Sequence, residues 1–540
     1  MLSNEDKVID KVEKILASCP YNEKLYQEVL QELNPIVIRT AQEEEYRNSL
    51  ANSFAIWKQL KTTLSGCIVE KIIKLNDEEH LYWYLRTIRG LIILMRNLSV
   101  SNQEIPQELL LQNVVVDLFA KVATFKFSYD DMETSTFIAI TSFLHNITKK
   151  SVVFDKTSMK SLMIFLQYPL DHPQKQQELL FPYILYFVNL AGSDDFLYYF
   201  FRQDACTNIL YDFFVVQILN DHSTLSNYLK IGSADKQNLS DTNISEELKP
   251  IDAALIRLFS KLAINESFCG FFEKLKDIDT KKTIGFLHIM QLVLTSSDKW
   301  DKFQLITILT WCYNIFEKLA ADTTTYFSLK EDNEAQAKLI HEQLYSILDI
   351  LVSLSKFEHA LEFLNSYGAL EILVPLLGLL QTNLIRINFT KDMSGKITKV
   401  KTTDSLGEKI TEKSKLENRV DYTNNVIKST NFPEIKSFII ELLANLSHKN
   451  KTNQDKIREL HGLETGLSNG VIDDNDPFIK ERSIVCIRFL LEGNAENQTI
   501  VAELEAKGVV KNDDLEEAGF EVDVNKGGEI KLTAKAKQGE

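Results

Sequence analysis

Few residue groups in this chain have the types and spacing that chemistry requires. The densest acidic run, Asp473-Asp474-Asn475-Asp476-Pro477, offers the oxygen ligands that Ca²⁺ prefers. It lacks the glycine and the closing glutamate that an EF-hand loop places at set positions, so calcium is not the favoured interpretation. An acidic residue followed by proline is typical of a helix start, with the acid as the cap and Pro477 at the first helical position.

Catalytic and nucleotide-binding motifs are absent from the sequence. There is no GxxxxGK[ST] loop, no GxGxxG turn, no GxSxG elbow and no set of kinase motifs. The histidines, for example His145 and His341, have no cysteine or carboxylate at a metal-binding spacing. We therefore predict that the chain is not an enzyme and that it needs no cofactor.

The cysteines are far apart in the sequence, and no two of them form a CxxC pair. This spacing argues against a zinc site and against a disulfide framework, and it predicts thiols that stay reduced. No Met-x-x-Met cluster occurs either, so the soft ligands that Cu(I) selects are missing and no copper site is expected. The six residues are Cys19, Cys67, Cys206, Cys269, Cys312 and Cys486.

One polar residue recurs at the same place in several apolar helices. Asn97, Asn146, Asn189 and Asn445 each stand near a helix end in a Leu-x-x-Leu-like context. In armadillo proteins, Asn on the innermost helix lines a concave groove and binds the backbone of an extended peptide, which makes these four residues a candidate partner-binding groove. The alternative is that they satisfy the carbonyls that a helix end leaves unpaired, or the turn that follows.

This landmark recurs at a period of roughly 40 to 50 residues, the period of armadillo and HEAT repeats. Weaker copies stand at Lys261, Asn314 and Ser353. Glycine (19) and proline (10) are scarce in the 540 residues, which favours long helices. Helical spacing of apolar residues is clearest at Ile435, Phe438, Ile439, Leu442, Leu443 and Leu446. The sequence therefore predicts an all-α, armadillo- or HEAT-like α-solenoid.

Two polar stretches interrupt the repeats, at about 222–249 and 383–430. The second is rich in Lys, Thr and Glu and has few aromatic residues, so we expect it to bury no core and to be flexible. The predicted organisation is a repeat domain with the 222–249 loop, a flexible polar insertion and a C-terminal repeat domain, over residues 1–381, 382–430 and 431–540.

Near the end of the chain the pattern changes from helical spacing to alternation. Apolar and polar residues alternate on both sides of Asn525-Lys-Gly-Gly, from Gly519 onward. This alternation predicts a small β-hairpin that covers the last repeat.

The overall charge limits the kinds of partner. The net charge is −16, whereas nucleic acids and anionic membranes bind clustered Lys and Arg, so neither is an expected partner. The longest uncharged run, Leu179 to Ser193, is shorter than the roughly twenty residues of a membrane span. The first residues lack the pattern of a signal peptide, so we predict a cytoplasmic protein. Self-association is left open.

Several segments near the C-terminus support a more specific resemblance. They are Asn445-Leu-Ser-His-Lys-Asn-Lys-Thr-Asn-Gln-Asp-Lys-Ile, Ile472-Asp-Asp-Asn-Asp-Pro-Phe-Ile-Lys-Glu, Ile487-Arg-Phe-Leu-Leu-Glu-Gly-Asn-Ala-Glu-Asn-Gln and Gly519-Phe-Glu-Val. In order and spacing, over about 435–532, they resemble the C-terminal domain of the ataxin-10 family, and the chain is similar to the fungal members also labelled copper transport protein 86. One departure is Phe489-Leu490-Leu491, where the family has Asn-Leu-Thr.

The resemblance implies an armadillo-like, non-enzymatic scaffold that binds other proteins in the cytoplasm and regulates cytokinesis. An alternative from another class is an importin-like adaptor that carries basic peptides, which the acidic charge permits. The four tryptophans do not follow the repeat period that such receptors use; they are Trp57, Trp83, Trp300 and Trp311.

Overall fold

The computed structural model describes most of the chain, and the statements below concern only those residues. They are 4–67, 78–100, 111–122, 130–149, 152, 154–172, 176–216, 250–297, 299–329, 333–391, 397–410, 412–424, 426–503, 520–524 and 530–534. The chain divides into two compact units, Met1–Val293 and Leu294–Glu540, and each is described by itself.

The first unit is built from helices. In chain order they are α1 (Asn4–Ser18), α2 (Glu23–Gln42), α3 (Glu44–Ala51), α4 (Phe54–Cys67), α5 (Glu78–Leu98), α6 (Leu111–Val122), α7 (Asp130–Thr148), a 3₁₀ turn (Lys156–Ser158), α8 (Met159–Asp171), α9 (Gln176–Leu190), α10 (Asp194–Phe200), a π-helix (Asn208–Val215), α11 (Pro250–Ala263), α12 (Phe268–Ile278) and α13 (Thr280–Thr295). The unit boundary lies within the last turn of α13.

Helices of the first unit pack in two rows. One row runs α2, α5, α7, α9 and α11, and each helix contacts the next. The other row runs α1, α4, α6, α8 and the π-helix in the same manner. Each new helix pair therefore covers the apolar face of the pair before it, which is the packing of a helical-repeat array.

Aromatic side chains fill the space between the two rows. The ring of Phe137 in α7 stacks on that of Phe165 in α8, with centroids 4.7 Å apart. Phe119 of α6 meets Phe165 edge-on at 5.3 Å. All three side chains are buried. Aromatic pairs at these separations add to the burial of apolar area, so they connect neighbouring repeats firmly.

The second unit contains both helices and short strands. Its elements are α14 (Lys302–Ser328), α15 (Glu334–Leu354), α16 (Glu358–Ser366), α17 (Ala369–Asn383), β1 (Arg386–Lys391), β2 (Ile397–Thr403), α18 (Lys413–Arg419), β3 (Val420–Asp421), β4 (Val426–Ile427), a 3₁₀ turn (Ser429–Asn431), α19 (Ile435–Ser447), α20 (Lys451–Glu459), α21 (Gly462–Ser468), α22 (Ile479–Leu491), α23 (Ala495–Glu503), β5 (Phe520–Val524) and β6 (Ile530–Ala534).

The row α14, α15, α19 and α22 forms the centre of the second unit, each helix packing on the next. Local sequence sets where its helices begin. The Asp301 carboxylate accepts from the N–H groups of Phe303 and Gln304, and the Gln304 side chain accepts from the Asp301 N–H. This reciprocal capping box satisfies N–H groups that the first turn of α14 leaves unpaired.

The prediction that the segment 382–430 buries no core is wrong. Strands β1 and β2 pair antiparallel, and β3 pairs with β4. Ile387 is fully buried and packs in one cluster with Ile385 and Val420. Partly buried Phe389, Val400 and Leu416 pack against this cluster, so the segment supplies a small apolar core of its own.

The predicted fold class is confirmed: each unit is built mainly of helices that pack in repeat-like rows, and the second unit contains the C-terminal hairpin. The strand pairs β1–β2 and β3–β4 were not predicted. Strands β5 and β6 pair antiparallel from Phe520↔Ala534 to Val524↔Ile530. The predicted loop at 222–249 lies outside the described residues. The predicted domain boundaries at 381/382 and 430/431 stay predictions, and both fall inside the second unit.

Among the described residues, no single helix is long and apolar enough to span a membrane. The consecutive helices α16 and α17 reach the required length and composition only together, and they are bent by 81° at the break between them.

Candidate functional site

The predicted site residue Asn97 lies near the end of α5 and is 6% exposed. Its Nδ2 donates to the backbone oxygen of Val37 at 3.0 Å and to the hydroxyl of Thr40 at 3.2 Å, both in α2. Its Oδ1 accepts from the Arg96 guanidinium at 3.1 Å. The side chain therefore connects the end of its own helix to the end of the preceding helix in the row.

The next landmarks repeat this contact. Asn146 Nδ2 donates to the backbone oxygen of Arg96 at 3.2 Å, and Asn189 Nδ2 donates to that of His145 at 2.9 Å. Lys261, the weaker copy, places its Nζ 2.8 Å from the backbone oxygen of Val188. Each side chain thus binds the carbonyl just before the landmark of the preceding repeat. We call Asn97, Asn146, Asn189 and Lys261 the carbonyl ladder.

The ladder adds a donor to carbonyls near helix ends, where a nearby hydroxyl also donates: Thr40 to Val37, Ser99 to Arg96 and Thr148 to His145. These contacts are the ones expected if the landmark residues act only within the protein, at helix ends. A partner peptide would have to share or displace them, so partner binding by Asn97, Asn146 and Asn189 stays a prediction. At Lys261, burial lowers the pKa of the amine, and the nearby charge of Arg257 lowers it further.

Asn445, the fourth predicted site residue, lies in the second unit and makes a different contact. Its Nδ2 donates to the hydroxyl of Ser355, at the end of α15, at 2.7 Å. It lies beside the same end of the preceding helix in the row, but its partner is a side chain. Asn445 therefore differs from the other three in the kind of contact it makes, and its part in a partner-binding groove stays a prediction.

A second repeated motif follows α19 and α22. Asn453 Nδ2 donates to the Leu446 carbonyl at 2.7 Å, and Asn497 Nδ2 donates to the Leu490 carbonyl at 2.8 Å. The glutamine after each asparagine does the same one residue further on, Gln454 to Ser447 and Gln498 to Leu491. The Asn-Gln pair thus closes the end of the preceding helix in two successive repeats.

The acidic turn at 473–476 does not cap its own helix, which corrects the prediction made for it. Helix α22 begins at Ile479, and Phe478 at the N-cap makes no side-chain cap bond. Asp476 instead accepts from the N–H of Ser437 at 3.0 Å, in the first turn of α19. Helix α19 has no side-chain cap of its own, because Glu434 precedes it in a left-handed conformation. The acid caps a helix distant in sequence.

Other groups of the turn hold strand β1. Asp473 Oδ1 accepts from the Ile387 N–H at 3.0 Å, and the N–H of Asp474 donates to the Ile387 oxygen at 2.7 Å. Asn431 Nδ2 donates to the Ile385 oxygen at 2.9 Å and to Asn475 Oδ1 at 2.8 Å. The turn therefore joins β1 to the start of α19.

A buried cation balances these carboxylates. Lys436 Nζ lies 3.4 Å from Asp473 Oδ2 and 4.0 Å from Asp476 Oδ2. All three side chains are almost completely buried. Burial raises the pKa of Asp476 to about 7, the charge of Asp473 also raises it, and Lys436 opposes the shift. We call Asn431, Lys436, Asp473, Asn475 and Asp476 the buried junction.

The carboxylates of the buried junction already have protein partners, which is not the arrangement of a calcium loop. Within the described part of the chain, no group of three or more His, Cys, Asp or Glu side chains is placed to hold a metal ion. The buried junction positions β1 and α19. Chemically, it is a buried ion pair within a hydrogen-bonded network.

The surface beside the junction exposes apolar side chains. Phe478 is 65% exposed, Ile484 57% and Val485 45%. Phe478 and Val485 are about two helical turns apart, so they lie on the same side of α22. Ile472, in the acidic turn, is also exposed. We call Phe478, Ile484 and Val485 the α22 patch.

Sequence reasoning missed both the patch and Lys436. Apolar residues in a helical repeat are normally read as core, and the sequence does not show which of two apolar stripes faces solvent. Lys436 lies between the apolar residues Ile435 and Phe438 at a helix start. This unusual position for a lysine is the only sign in the sequence that its side chain is buried.

Comparison with known proteins places these features in context. Residues 435–533 match the family model described as "Spinocerebellar ataxia type 10 protein domain". The "Ataxin-10 homolog" of Candida glabrata is 43% identical over 98% of this chain and 99% of its own length. That of Saccharomyces cerevisiae is 38% identical over 98% and 96%. Human "Ataxin-10" is 44% identical over 16% of this chain and 18% of its own.

Proposed function

Because the chain belongs to the ataxin-10 family, we propose that it is a non-enzymatic scaffold that binds other proteins. The observation that supports this proposal is the α22 patch, which lies within the family-matched residues 435–533. Exposed apolar groups that are close together on a helix are typical of protein-interaction surfaces. Helical-repeat arrays also commonly act through such surfaces.

The partner suited to this surface is an amphipathic segment of another protein. Lys480, Glu481 and Arg488 are exposed on the same helix, so charges of both signs lie among the apolar residues. A helix with apolar residues at i, i+3, i+4 and i+7 and mixed charges beside them would match it.

The test compares partners captured by the full chain and by two variants. Ile484→Lys combined with Val485→Lys places charge on the patch. The matched control is Leu406→Lys, an apolar side chain that is 82% exposed in the same unit but outside the family-matched segment. Crosslinking in dividing cells, followed by mass spectrometry, should recover the same partners with wild type and control. Loss of those partners only with the patch variant is expected; an unchanged set would contradict the proposal.

We propose a role in cytokinesis and a cytoplasmic location on the family resemblance alone. Deletion of the gene should delay separation of daughter cells, and the wild-type chain and the Leu406→Lys control should restore it. Failure of the patch variant to restore separation would link this role to the α22 patch. A fluorescent fusion tests the location.

The importin-like alternative has less support. The amide donors expected to bind a peptide backbone already donate to carbonyls and hydroxyls within the protein. Fluorescence anisotropy with a Lys- and Arg-rich peptide tests it: binding that weakens after Asn97→Ala or Asn189→Ala, with stability unchanged, would favour the adaptor.

A further inference from the structure

Three reactive groups meet near the start of the chain. His80 Nε2 in α5 lies 3.6 Å from the Cys19 sulfur and 3.2 Å from the Tyr26 hydroxyl. The Tyr26 hydroxyl lies 4.0 Å from the same sulfur. A thiol, an imidazole and a phenol therefore form a closed triangle in which each group contacts the other two.

The backbone holds the thiol at this place. Cys19 follows α1 with φ 48°, in the left-handed region that residues other than glycine rarely adopt. Its N–H donates to the Ile15 carbonyl at 2.8 Å, which closes the end of the helix. An unfavourable conformation of this kind persists only where the surrounding structure enforces it.

Other cysteines of the structure have a different environment. Cys206 and Cys486 are buried, and burial raises the pKa of both thiols, that of Cys486 to about 12. Such thiols stay protonated and inert. Cys19 is only partly buried and is in no disulfide bond. It combines access with a base, which the buried thiols lack.

His80 and Tyr26 also line a cavity of about 150 Å³ together with Glu23, Glu79 and Trp83. The imidazole is partly exposed there, whereas the phenol is buried. Burial, followed by the neighbouring Cys19, raises the pKa of Tyr26 well above its usual range, so its hydroxyl remains a hydrogen-bond donor.

We propose that Cys19 is a modification site: a nucleophilic thiol that reacts with hydrogen peroxide, with His80 as its base and Tyr26 as a donor to the sulfur. Thiolates next to an imidazole are the reactive form of cysteine. Cysteines that are oxidised reversibly share this combination of thiolate character and access.

The chemistry balances without any metal. His80 Nε2 takes the thiol proton, and the sulfur attacks one peroxide oxygen. The S–O bond forms as the O–O bond breaks, so sulfur is oxidised to a sulfenic acid and peroxide is reduced. The leaving hydroxide takes the proton from the imidazolium and becomes water. A small thiol such as glutathione then attacks the sulfenic sulfur, a disulfide forms, and the oxygen leaves as a second water.

The first test uses the reduced full chain and needs no variant. Alkylation by iodoacetamide at about pH 6.5, followed by peptide mass spectrometry, compares Cys19 with Cys269, another partly buried thiol of the same unit. We expect Cys19 to react at least about tenfold faster. Dilute peroxide with a sulfenic-acid trap should label the same cysteine first. Equal rates at the two cysteines would overturn the proposal.

Variants separate an activated thiol from one that is only exposed. His80→Gln keeps a polar side chain of similar length but removes the base, and it should abolish the rate advantage of Cys19. Tyr26→Phe should lower the rate by a smaller factor, and Cys19→Ser should remove the label. Circular dichroism checks that each variant is folded. A folded His80→Gln chain with the wild-type rate would refute the role of the imidazole.

The pH profile of the wild type keeps the test decisive if His80→Gln does not fold. The alkylation rate of an ordinary thiol falls about tenfold for each pH unit below roughly 8.5. The rate at Cys269 should fall in this way, whereas the rate at Cys19 should fall much less between about pH 8.5 and pH 6.5. Parallel profiles at the two cysteines would contradict the proposal.

Discussion

The carbonyl ladder of the first unit and the buried junction of the second unit both use polar side chains to hold helices, but in different ways. The contacts of the ladder join neighbouring helices of the row, and its asparagines are neutral. The junction gathers a cation and two carboxylates with two asparagines, and it connects β1, the acidic turn and α19.

The two arrangements differ in how far the loss of one side chain would affect the rest of the fold. A neutral donor lost from the ladder removes a hydrogen bond between two neighbouring helices and leaves no charge unpaired, so the cost should stay local. A charge lost from the junction leaves another charge buried without compensation, so the cost should be large and shared by every element that the turn connects. The contact of the carbonyl ladder can recur from one repeat to the next, whereas the buried junction fixes the structure of one particular domain.

The largest effect is expected for Lys436→Met, which breaks the junction. Removing the buried cation leaves Asp473 and Asp476 without their counter-charge and should lower the free energy of unfolding by about 3–5 kcal/mol. Lys480→Met is the matched control, because Lys480 is exposed. Urea unfolding of the two variants measures the difference. Similar midpoints would show that the junction contributes little.

Leu443→Ala measures apolar packing on the same helix as Lys436. Leu443 is 2% exposed in α19, so its truncation should cost about 2–5 kcal/mol through lost burial and a cavity. Ile484→Ala, at an exposed position, should change stability by less than about 0.5 kcal/mol. A melting temperature of Leu443→Ala close to that of the wild type would argue against tight packing of α19 on its neighbours.

The ladder should give smaller and additive effects. Asn97→Ala and Asn189→Ala should each cost about 0.5–1.5 kcal/mol, the net contribution of a hydrogen bond, because the carbonyls of Val37 and His145 keep a threonine hydroxyl as donor. The two residues share no partner, so the double variant should equal the sum to within about 0.5 kcal/mol. Lys436→Met combined with Asp473→Asn should instead cost less than the sum. Unchanged stability with lost partner binding would favour the groove hypothesis for the asparagines.

The last prediction is a pH dependence of stability that comes from Asp476. Its pKa rises from 3.8 to about 7 on folding, so between these values the folded state binds the extra proton. The free energy of unfolding should therefore fall as the pH rises from about 4 to about 7. Asp476→Asn should lose this slope. Chemical unfolding at several pH values checks it; equal slopes in both chains would contradict the assignment.

Sequence patterns were sufficient where the information is local or periodic. Helical spacing around Leu443, the landmark period and the alternation near residue 525 predicted the solenoid and the terminal hairpin, since one face of a helix or strand is written in the order of its residues. The positions of Asn97, Asn146 and Asn189 near helix ends could also be read from the chain.

The remaining features depend on contacts between residues that are distant in sequence. Asp476 caps α19 rather than α22, the N–H of Ile387 donates to Asp473 in the acidic turn, and Cys19 meets His80. In the sequence, an acidic residue before proline, a Lys- and Thr-rich segment and an isolated cysteine each look ordinary. Only the tertiary structure decides which charges are buried, because burial and pairing depend on the elements that pack against a side chain and not on its neighbours along the chain.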